Sequence, residues 1–329
     1  MKYKTFSNLE DDKLPVIGFG CWSIGGEWNN IEDKESIKAI HTALDLGVNF
    51  FDTAPVYGKG HSETVLGQAL KGKNRESFFI ASKCGLVWDD NMHVDVNLSR
   101  KSLIKEIDRS LKRLGVDYLD VWQCHWPDVN TDLKETIEAM EDIKQMGKIR
   151  HIGLSNYSTE NLKLANSYGK VASFQGLYNM LEHNPSSYHN IPLTYKAKDE
   201  ILPYCEEHGM MFLPYSPLFQ GLLTGSFKAT GNFDKNDKRS ENPKLLGASL
   251  KQFLAIVEEL KGFANTIEKP LSQIAVNWLV NQKAIGPVIA GLDKEVYAMD
   301  TVASLNWELT PDMQKDIDSI LNKYDLDAI

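Results

Sequence analysis

The chain has 329 residues, of which 42% are hydrophobic and 25% are charged. This is the composition of an ordinary globular protein, and it excludes a mainly disordered one. The 36 basic and 45 acidic residues give a net charge of −9, and an acidic chain without a basic run argues against nucleic-acid and anionic-membrane partners.

The cysteines and the apolar runs indicate a compartment. Cys21, Cys84, Cys124 and Cys205 form no Cys-x-x-Cys pair, which is typical of reduced thiols rather than of a disulfide framework or a zinc site. The N-terminus has no secretory pattern, and no apolar run approaches the roughly 18 residues of a membrane span. We therefore expect a cytoplasmic protein that does not enter the membrane.

Short apolar runs alternate with segments of helical periodicity along most of the chain. Eight runs predict strands, at residues 18–22, 48–52, 78–83, 118–124, 151–155, 173–177, 211–215 and 285–289. Amphipathic segments predict the intervening helices, near residues 37–44, 62–70, 103–114, 133–146, 159–168, 200–208, 249–266 and 271–281. Thr159 is the predicted cap of the fifth helix, and further helices close the chain.

Repeated strand–helix units predict parallel strands joined by crossover helices. Eight units in 329 residues fit an α/β protein with a single (β/α)8 TIM barrel over residues 1–329, closed by C-terminal helices. The alternative is an open doubly wound sheet, which would want a G-x-G-x-x-G turn between a strand and a helix. The nearest match, Gly18-x-Gly20, has Ser23 in place of the third glycine and no helix directly after it, so the barrel is favoured.

In a barrel of this kind the reactive side chains come from the carboxyl ends of the strands. Asp52 ends the second predicted strand and Tyr57 follows in its loop, while Lys83 ends the third strand and His125 stands near the end of the fourth. An ammonium held by a carboxylate lowers the pKa of a neighbouring phenol, and a histidine can orient a carbonyl oxygen. Each residue alone has an ordinary structural interpretation; their joint occurrence at strand ends favours a catalytic one.

Four motifs carry a family resemblance. The segments G-V-N-F-F-D-T-A-P-V-Y-G at 47–58 and L-K-R-L-G-V-D-Y-L-D-V-W-Q-C-H-W-P at 111–127 resemble the aldo-keto reductase segments around the catalytic Asp, Tyr and His. The run H-I-G-L-S-N at 151–156 is similar to the family's nicotinamide-binding strand end, and L-P-Y-S-P-L at 213–218 to its stacking-tyrosine segment. The resemblance extends from about residue 15 to 305. It implies the same barrel and NAD(P)H-dependent reduction of carbonyl compounds, without a metal.

The resemblance also implies residue roles by position. Tyr57 would be the general acid, Lys83 and Asp52 would tune it, and His125 would orient the substrate carbonyl. Cofactor contacts are expected from Trp22, Asp52, Ser155, Asn156, Gln175, Tyr215, Ser216, Leu218, Gly291 and Lys294.

The segment 290–300, A-G-L-D-K-E-V-Y-A-M-D, bears on the choice of cofactor. In the family, basic residues just after the eighth strand usually hold the adenosine 2′-phosphate. Here the only cation is Lys294, flanked by two carboxylates, and Tyr297 stands where many relatives place a basic side chain. We therefore expect NADP(H) with weak discrimination, with NAD(H) as the alternative. Lys238 and Arg239, in the loop after the seventh strand, are candidate sources of further positive charge.

The loop at 182–198 is longer than related members carry. It is expected to bring Tyr188, His189 and Tyr195 to the active face, where it either shapes the substrate pocket, mediates oligomer contacts or is surface decoration. Four tryptophans fall at or after strand ends, and three of them are expected to be pocket walls, with structural packing as the alternative for any single one: Trp22, Trp28, Trp88 and Trp126.

Two function classes follow from the resemblance. The first is an enzyme that reduces small-molecule aldehydes or ketones to alcohols by hydride transfer, with Tyr57 as general acid. The alternative is an NAD(P)H-binding regulatory module like the potassium-channel β-subunits, which keep the barrel and the same four residues. Turnover of a simple aldehyde would discriminate between them.

Overall fold

The central feature of the structure is a closed barrel of eight parallel strands. The computed structural model describes residues 1–10, 12–26, 32–227, 233 and 237–329. The barrel strands are β1 (Ile17–Gly20), β2 (Phe50–Asp52), β3 (Phe79–Cys84), β4 (Leu119–Cys124), β5 (Ile149–Ser155), β6 (Val171–Leu177), β7 (Met211–Tyr215) and β8 (Val288–Gly291). Each pairs with the next in chain order, and β8 closes on β1 with Val288 opposite Ile17. The predicted (β/α)8 TIM barrel is confirmed, and an open doubly wound sheet is excluded.

Helices cover the outside of the barrel. They are α1 (Asp33–Asp45), α2 (His61–Leu70), α3 (Arg100–Leu114), α4 (Leu133–Gln145), α5 (Thr159–Tyr168), α6 (Leu202–Glu207), α7 (Gly247–Thr266), α8 (Leu271–Val280), α9 (Glu295–Ala303) and α10 (Pro311–Leu321). In α3, Leu103, Ile107 and Leu114 are buried on one face, and Gly115 ends the helix at a φ of 68°. Within the described residues, no helix is both long and apolar enough to cross a membrane.

Several predicted boundaries differ from the structure, and two of the differences have clear local reasons. Ser158 rather than Thr159 caps α5, since Thr159 is already the first helical residue and the Ser158 hydroxyl accepts a hydrogen bond from the Asn161 N–H at 3.2 Å. The last strand begins at Val288 rather than at residue 285. Pro287 directly precedes it and has no N–H to donate to a neighbouring strand.

A hairpin that the sequence analysis did not predict closes the amino-terminal end of the barrel. Tyr3–Lys4 pairs antiparallel with Leu14–Pro15. Between them, Phe6 and Leu9 are buried in one cluster with Phe50, at the start of β2. This hairpin seals the barrel interior from below, so a ligand reaches the strands from their carboxyl ends.

Two further hairpins, also not predicted, follow carboxyl ends of barrel strands. Leu86–Trp88 pairs with Val94–Val96 directly after β3. Ser187–Tyr188 pairs with Ile191–Pro192 inside the long loop after β6. Both therefore stand at the end of the barrel where the predicted chemistry lies.

Candidate active site

The four side chains predicted to act together meet at the carboxyl end of the barrel. Asp52 ends β2, and Lys83 is the residue before the end of β3. Lys83 is fully buried, and its Nζ donates to Asp52 Oδ1 at 2.6 Å and to the Thr53 carbonyl oxygen at 3.1 Å. The Lys83 ammonium lies 5.0 Å from the ring centroid of Tyr57. The Tyr57 ring in turn meets the His125 ring edge-on, with centroids 5.8 Å apart.

The loop that carries Tyr57 is fixed by backbone contact with the loop after β1. Gly58 has a φ of 58°, and a Cβ there would lie 2.0 Å from the Gly25 carbonyl oxygen. A Cβ on Gly25 would lie 2.9 Å from the carbonyl carbon of Tyr57. Glycine is therefore required on both sides of this contact.

Three side chains donate to the Asp52 carboxylate, which is why it tolerates burial. Besides Lys83, the Gln175 amide donates to Asp52 Oδ2 at 2.8 Å and the Gln123 amide at 3.2 Å. Gln123 was not among the predicted site residues. The signal that could have found it is a polar side chain near the carboxyl end of the buried strand β4, directly opposite Lys83 in the register.

The electrostatics keep His125 uncharged. Burial first, and then the positive charge of Lys83, hold the pKa of His125 well below its usual 6.5. At neutral pH the imidazole therefore carries a single ring proton, so one nitrogen donates a hydrogen bond and the other accepts. A neutral His125 imidazole next to the Tyr57 phenol can donate a hydrogen bond to the carbonyl oxygen of a substrate.

Amide groups and an aromatic ring form the next wall of the site. Asn156 follows β5 with a φ of 64°, and its Nδ2 donates to the His125 carbonyl oxygen and to Ser155 Oγ, both at 3.1 Å. Its Oδ1 accepts from the Tyr215 hydroxyl at 3.0 Å. Asparagine tolerates this left-handed conformation better than most residues. Asn156 thus links the end of β5 to the Tyr215 ring at the end of β7.

A cavity of about 970 Å³ extends from Tyr57 and His125 to helix α9. Its size matches sites that enclose an extended ligand. Every predicted cofactor residue lines it: Trp22, Asp52, Ser155, Asn156, Gln175, Tyr215, Ser216, Leu218, Gly291 and Lys294. Lys83 lies beneath the cavity floor, bonded to Asp52.

At the far end of the cavity, positive and negative groups face the same space. Lys294 lines the cavity, and so does Asp293, whose pKa burial raises. Arg239 also lines it, with its guanidinium bonded to Asp237 through Nε and Nη2 at 3.0 and 2.5 Å. Lys238 does not line the cavity and pairs with a surface carboxylate instead. Of the two candidate cations after β7, only Arg239 is brought to the site.

The tryptophans predicted at strand ends do not all line the cavity. Trp22 and Trp126 line the cavity, whereas Trp88 does not, and Trp28 lies outside the described residues.

The three loop residues expected at the active face also differ in where their side chains lie. Tyr188 lines the cavity, and His189 contacts Gln220 beside it. The expectation that Tyr195 faces the active site is wrong: its side chain is buried against Phe174, and its hydroxyl oxygen accepts from the Leu177 N–H at 2.7 Å.

Comparison with known proteins gives relatives along nearly the whole chain. A model of the aldo/keto reductase family matches residues 16–322. The aldo-keto reductase YhdN of Bacillus subtilis is 34% identical over 319 residues, covering 95% of this chain and 92% of its own. The NADH-specific methylglyoxal reductase of Escherichia coli is 30% identical, with coverages of 91% and 92%. A probable voltage-gated potassium channel subunit beta of Oryza sativa is 31% identical, with coverages of 98% and 97%.

A solved structure gives the same result for the fold. The glycerol dehydrogenase of Gluconobacter oxydans has a TM-score of 0.87 to this chain at 33% identity, covering 100% of this chain and 97% of that one. The barrel, the matched segment and the level of identity agree. The chain therefore belongs to the aldo/keto reductase family, whose members are NAD(P)H-dependent oxidoreductases acting on small-molecule carbonyl compounds.

Proposed function

We propose that this protein reduces an aldehyde or ketone to the alcohol, with Tyr57 as the general acid. The Tyr57 hydroxyl gives its proton to the carbonyl oxygen as hydride reaches the carbonyl carbon. Lys83 stabilises the phenolate that remains, and Asp52 holds the Lys83 ammonium in place. The neutral imidazole of His125 orients the carbonyl oxygen by donating a hydrogen bond.

One observation carries this proposal: a fully buried ammonium lies between a carboxylate and a phenol ring. Lys83 Nζ is 2.6 Å from Asp52 Oδ1 and 5.0 Å from the ring centroid of Tyr57. A phenol is a weak acid at neutral pH, with an ordinary pKa of about 10. Lys83 is fully buried, and a fixed positive charge in such a position favours the phenolate more than it would in water.

The cavity has the donors and acceptors that a nicotinamide cofactor needs. The side-chain amides of Asn156 and Gln175 and the Ser155 hydroxyl would hold its carboxamide, and Tyr215 would stack on its ring. Ser216 and Leu218 would lie beside its pyrophosphate. The bound cofactor supplies the hydride. Because Gln175 donates to Asp52, its amide oxygen is left to accept from the carboxamide.

We propose NADP(H) as the preferred cofactor, with weak discrimination against NAD(H). Lys294 and Arg239 line the cavity as candidate partners of a 2′-phosphate, although Asp237 already pairs with Arg239, and the Asp293 carboxylate would oppose the phosphate. Dissociation constants for NADPH and NADH within about tenfold of each other are expected. An NADH constant at least tenfold lower would overturn the preference, and Asp293→Arg should shift the ratio towards NADPH.

We infer a cytoplasmic location for this activity. Support comes from the cysteines, since Cys21, Cys84, Cys124 and Cys205 are all free and buried. Free thiols are usual in a reducing compartment.

A regulatory, cofactor-binding module is the second candidate. The observation that favours it is the relative named a probable voltage-gated potassium channel subunit beta in Oryza sativa, which is 31% identical over nearly all of this chain. The presence of Asp52, Tyr57, Lys83 and His125 does not distinguish between the two candidate functions.

Steady-state oxidation of NADPH and NADH with a panel of small aldehydes and ketones tests the proposed function. An enzyme of this class is expected to turn over at about 1–10³ per second on its better substrates. The control variant is Tyr3→Phe, which changes an exposed tyrosine at the opposite end of the barrel and should turn over as the wild type does. Tight cofactor binding without turnover of any carbonyl in the panel would favour the regulatory module.

A further inference from the structure

The hairpin inside the long loop after β6 places one side chain against the ring expected to carry the nicotinamide. The ring of Tyr188 meets the ring of Tyr215 edge-on, with centroids 5.2 Å apart and an interplanar angle of 78°. Tyr188 also lines the cavity, and burial together with the nearby Tyr57 phenol raises the pKa of Tyr188. Tyr188 therefore contacts Tyr215 and also lines the cavity that contains Tyr57 and His125.

The hairpin is anchored and does not hang free over the cavity. A buried ion pair joins Glu182 Oε1 to Lys244 Nζ at 2.7 Å, and the same Nζ donates to the Ser187 carbonyl oxygen at 2.9 Å. At the turn, His189 Nε2 and the Gln220 amide are 2.8 Å apart. These contacts bind the hairpin to the segment that follows β7, which is the strand that ends in Tyr215.

Contacts with Asn156, Tyr195 and Tyr188 hold the Tyr215 ring at the edge of the cavity. Its hydroxyl donates to Asn156 Oδ1 at 3.0 Å, which fixes one end of the ring. Contacts made at the hydroxyl, including one with Tyr195, lie near the long axis of the ring, so they limit rotation about that axis less than a contact with the ring itself does. The edge-on contact with Tyr188 restricts that rotation.

We propose that Tyr188 is a positioning residue: its ring, held by the Glu182–Lys244 anchor, fixes the plane of Tyr215 on which the nicotinamide stacks. Tyr188 also lines the cavity in which the carbonyl substrate would bind. An aromatic edge-on pair is worth about a two- to tenfold change in an equilibrium constant. The role in hydride transfer rests on the proposed function, whereas the role in cofactor binding requires only that the cavity accept NAD(P)H.

The test compares Tyr188→Ala, Tyr188→Leu and Tyr188→Phe with a control on the same hairpin, Ile191→Ala. Ile191 lines the cavity from the partner strand of the hairpin. Removing the ring in the alanine and leucine variants should weaken NADPH binding by about three- to tenfold and lower kcat at saturating cofactor. Phenylalanine keeps the ring and should restore both quantities. Ile191→Ala should change only the KM for the carbonyl substrate.

Melting temperatures and a cofactor-free crystal structure of each variant complete the experiment. In Tyr188→Ala and Tyr188→Leu the Tyr215 ring is expected to rotate or to occupy more than one rotamer, while in Tyr188→Phe it stays in place. An unmoved Tyr215 ring, or a Kd for NADPH equal to that of Ile191→Ala, would overturn the proposal. If the wild-type protein binds NADPH but reduces no carbonyl, the proposed function fails, and the Kd and the ring position still decide the role of Tyr188.

Discussion

At the scale of single residues, the site depends on one buried carboxylate. Asp52 is 3% exposed and accepts from Lys83, Gln123 and Gln175. The burial of a charge is tolerated only when partners and hydrogen bonds compensate it. Asp52 therefore affects both the stability of the fold and the proposed proton transfer. The reason is that Lys83, which compensates the charge of Asp52, also lies next to the Tyr57 ring.

The first prediction separates these two effects. Lys83→Met leaves the Asp52 charge buried without its cation, which should cost about 3–5 kcal/mol of unfolding free energy. The double variant Asp52→Asn/Lys83→Met removes the charge as well and should recover much of the melting temperature. Both variants should lose carbonyl reduction by at least about 10²-fold. Activity that returns together with stability in the double variant would show that Lys83 has only a structural role.

The second prediction concerns a buried carboxyl outside the cavity. Glu106 on α3 accepts from the Gly85 N–H and from the Ser102 hydroxyl, both at 3.0 Å, and burial raises the pKa of Glu106 from 4.5 to about 7. A raised folded-state pKa stabilises the fold below the unfolded value of 4.5, and this contribution is lost as the pH rises through 7.

Glu106→Gln cannot ionise, so it does not suffer this loss. The variant's melting temperature relative to wild type should therefore be higher at pH 8 than at pH 5. The difference should be on the order of 2 kcal/mol in unfolding free energy. The exposed Glu35→Gln on α1 is the control for the change of residue type. An equal offset at both pH values for Glu106→Gln would contradict the assignment.

At the scale of elements, the long loop after β6 has two parts. Its hairpin, Ser187–Tyr188 with Ile191–Pro192, faces the cavity. Its stem packs into the fold, with Tyr195 buried against Phe174. Selectivity and stability are therefore expected to depend on different ends of the same loop.

The third prediction follows from this division. Ile191→Ala should change the ratio of kcat/KM between a small and a bulky aldehyde by several-fold and leave the melting temperature unchanged. Tyr195→Phe loses the acceptor for the buried Leu177 N–H, which should cost about 1–3 kcal/mol of unfolding free energy. The ratio of kcat/KM should stay the same in Tyr195→Phe. A loss of stability in both variants with no change of selectivity in either would mean that the whole loop is structural.

The elements also show what one sequence can predict. The strand ends were predictable because apolar runs stop abruptly at polar side chains, and this placed Asp52 and Lys83 together. The hairpin at Leu86–Trp88 was not, because its two strands are only three residues long, the first half-buried and the second mostly exposed. Pairings between distant segments, such as Glu182 with Lys244, have no local pattern at all.

At the scale of the whole molecule, two cores share the strands of the barrel. One lies between the strands and the outer helices, and the other fills the barrel interior beneath the site. The N-terminal hairpin contributes Phe6 and Leu9 to the interior core. The first strands therefore need both the last strand, which closes the barrel, and the N-terminal segment below it.

The fourth prediction is that residues 1–329 form one domain. Because β8 pairs with β1, no part of the barrel is complete without both ends of the chain. Thermal unfolding followed by tryptophan fluorescence and by far-ultraviolet circular dichroism should give coincident transitions. Two separated transitions would show that the chain contains independently folding units.

The fifth prediction tests the central claim, that Tyr57 supplies the proton. Wild type, Tyr57→Phe and the exposed control Tyr3→Phe are each loaded with NADPH and mixed with an excess of a good aldehyde substrate, and the single-turnover rate of NADPH oxidation is measured. Tyr57→Phe should bind NADPH as the wild type does and react about 10²–10⁴-fold more slowly. Tyr3→Phe should match the wild type. A Tyr57→Phe rate above about a tenth of the wild-type rate, with hydride transfer rate-limiting, would contradict the account.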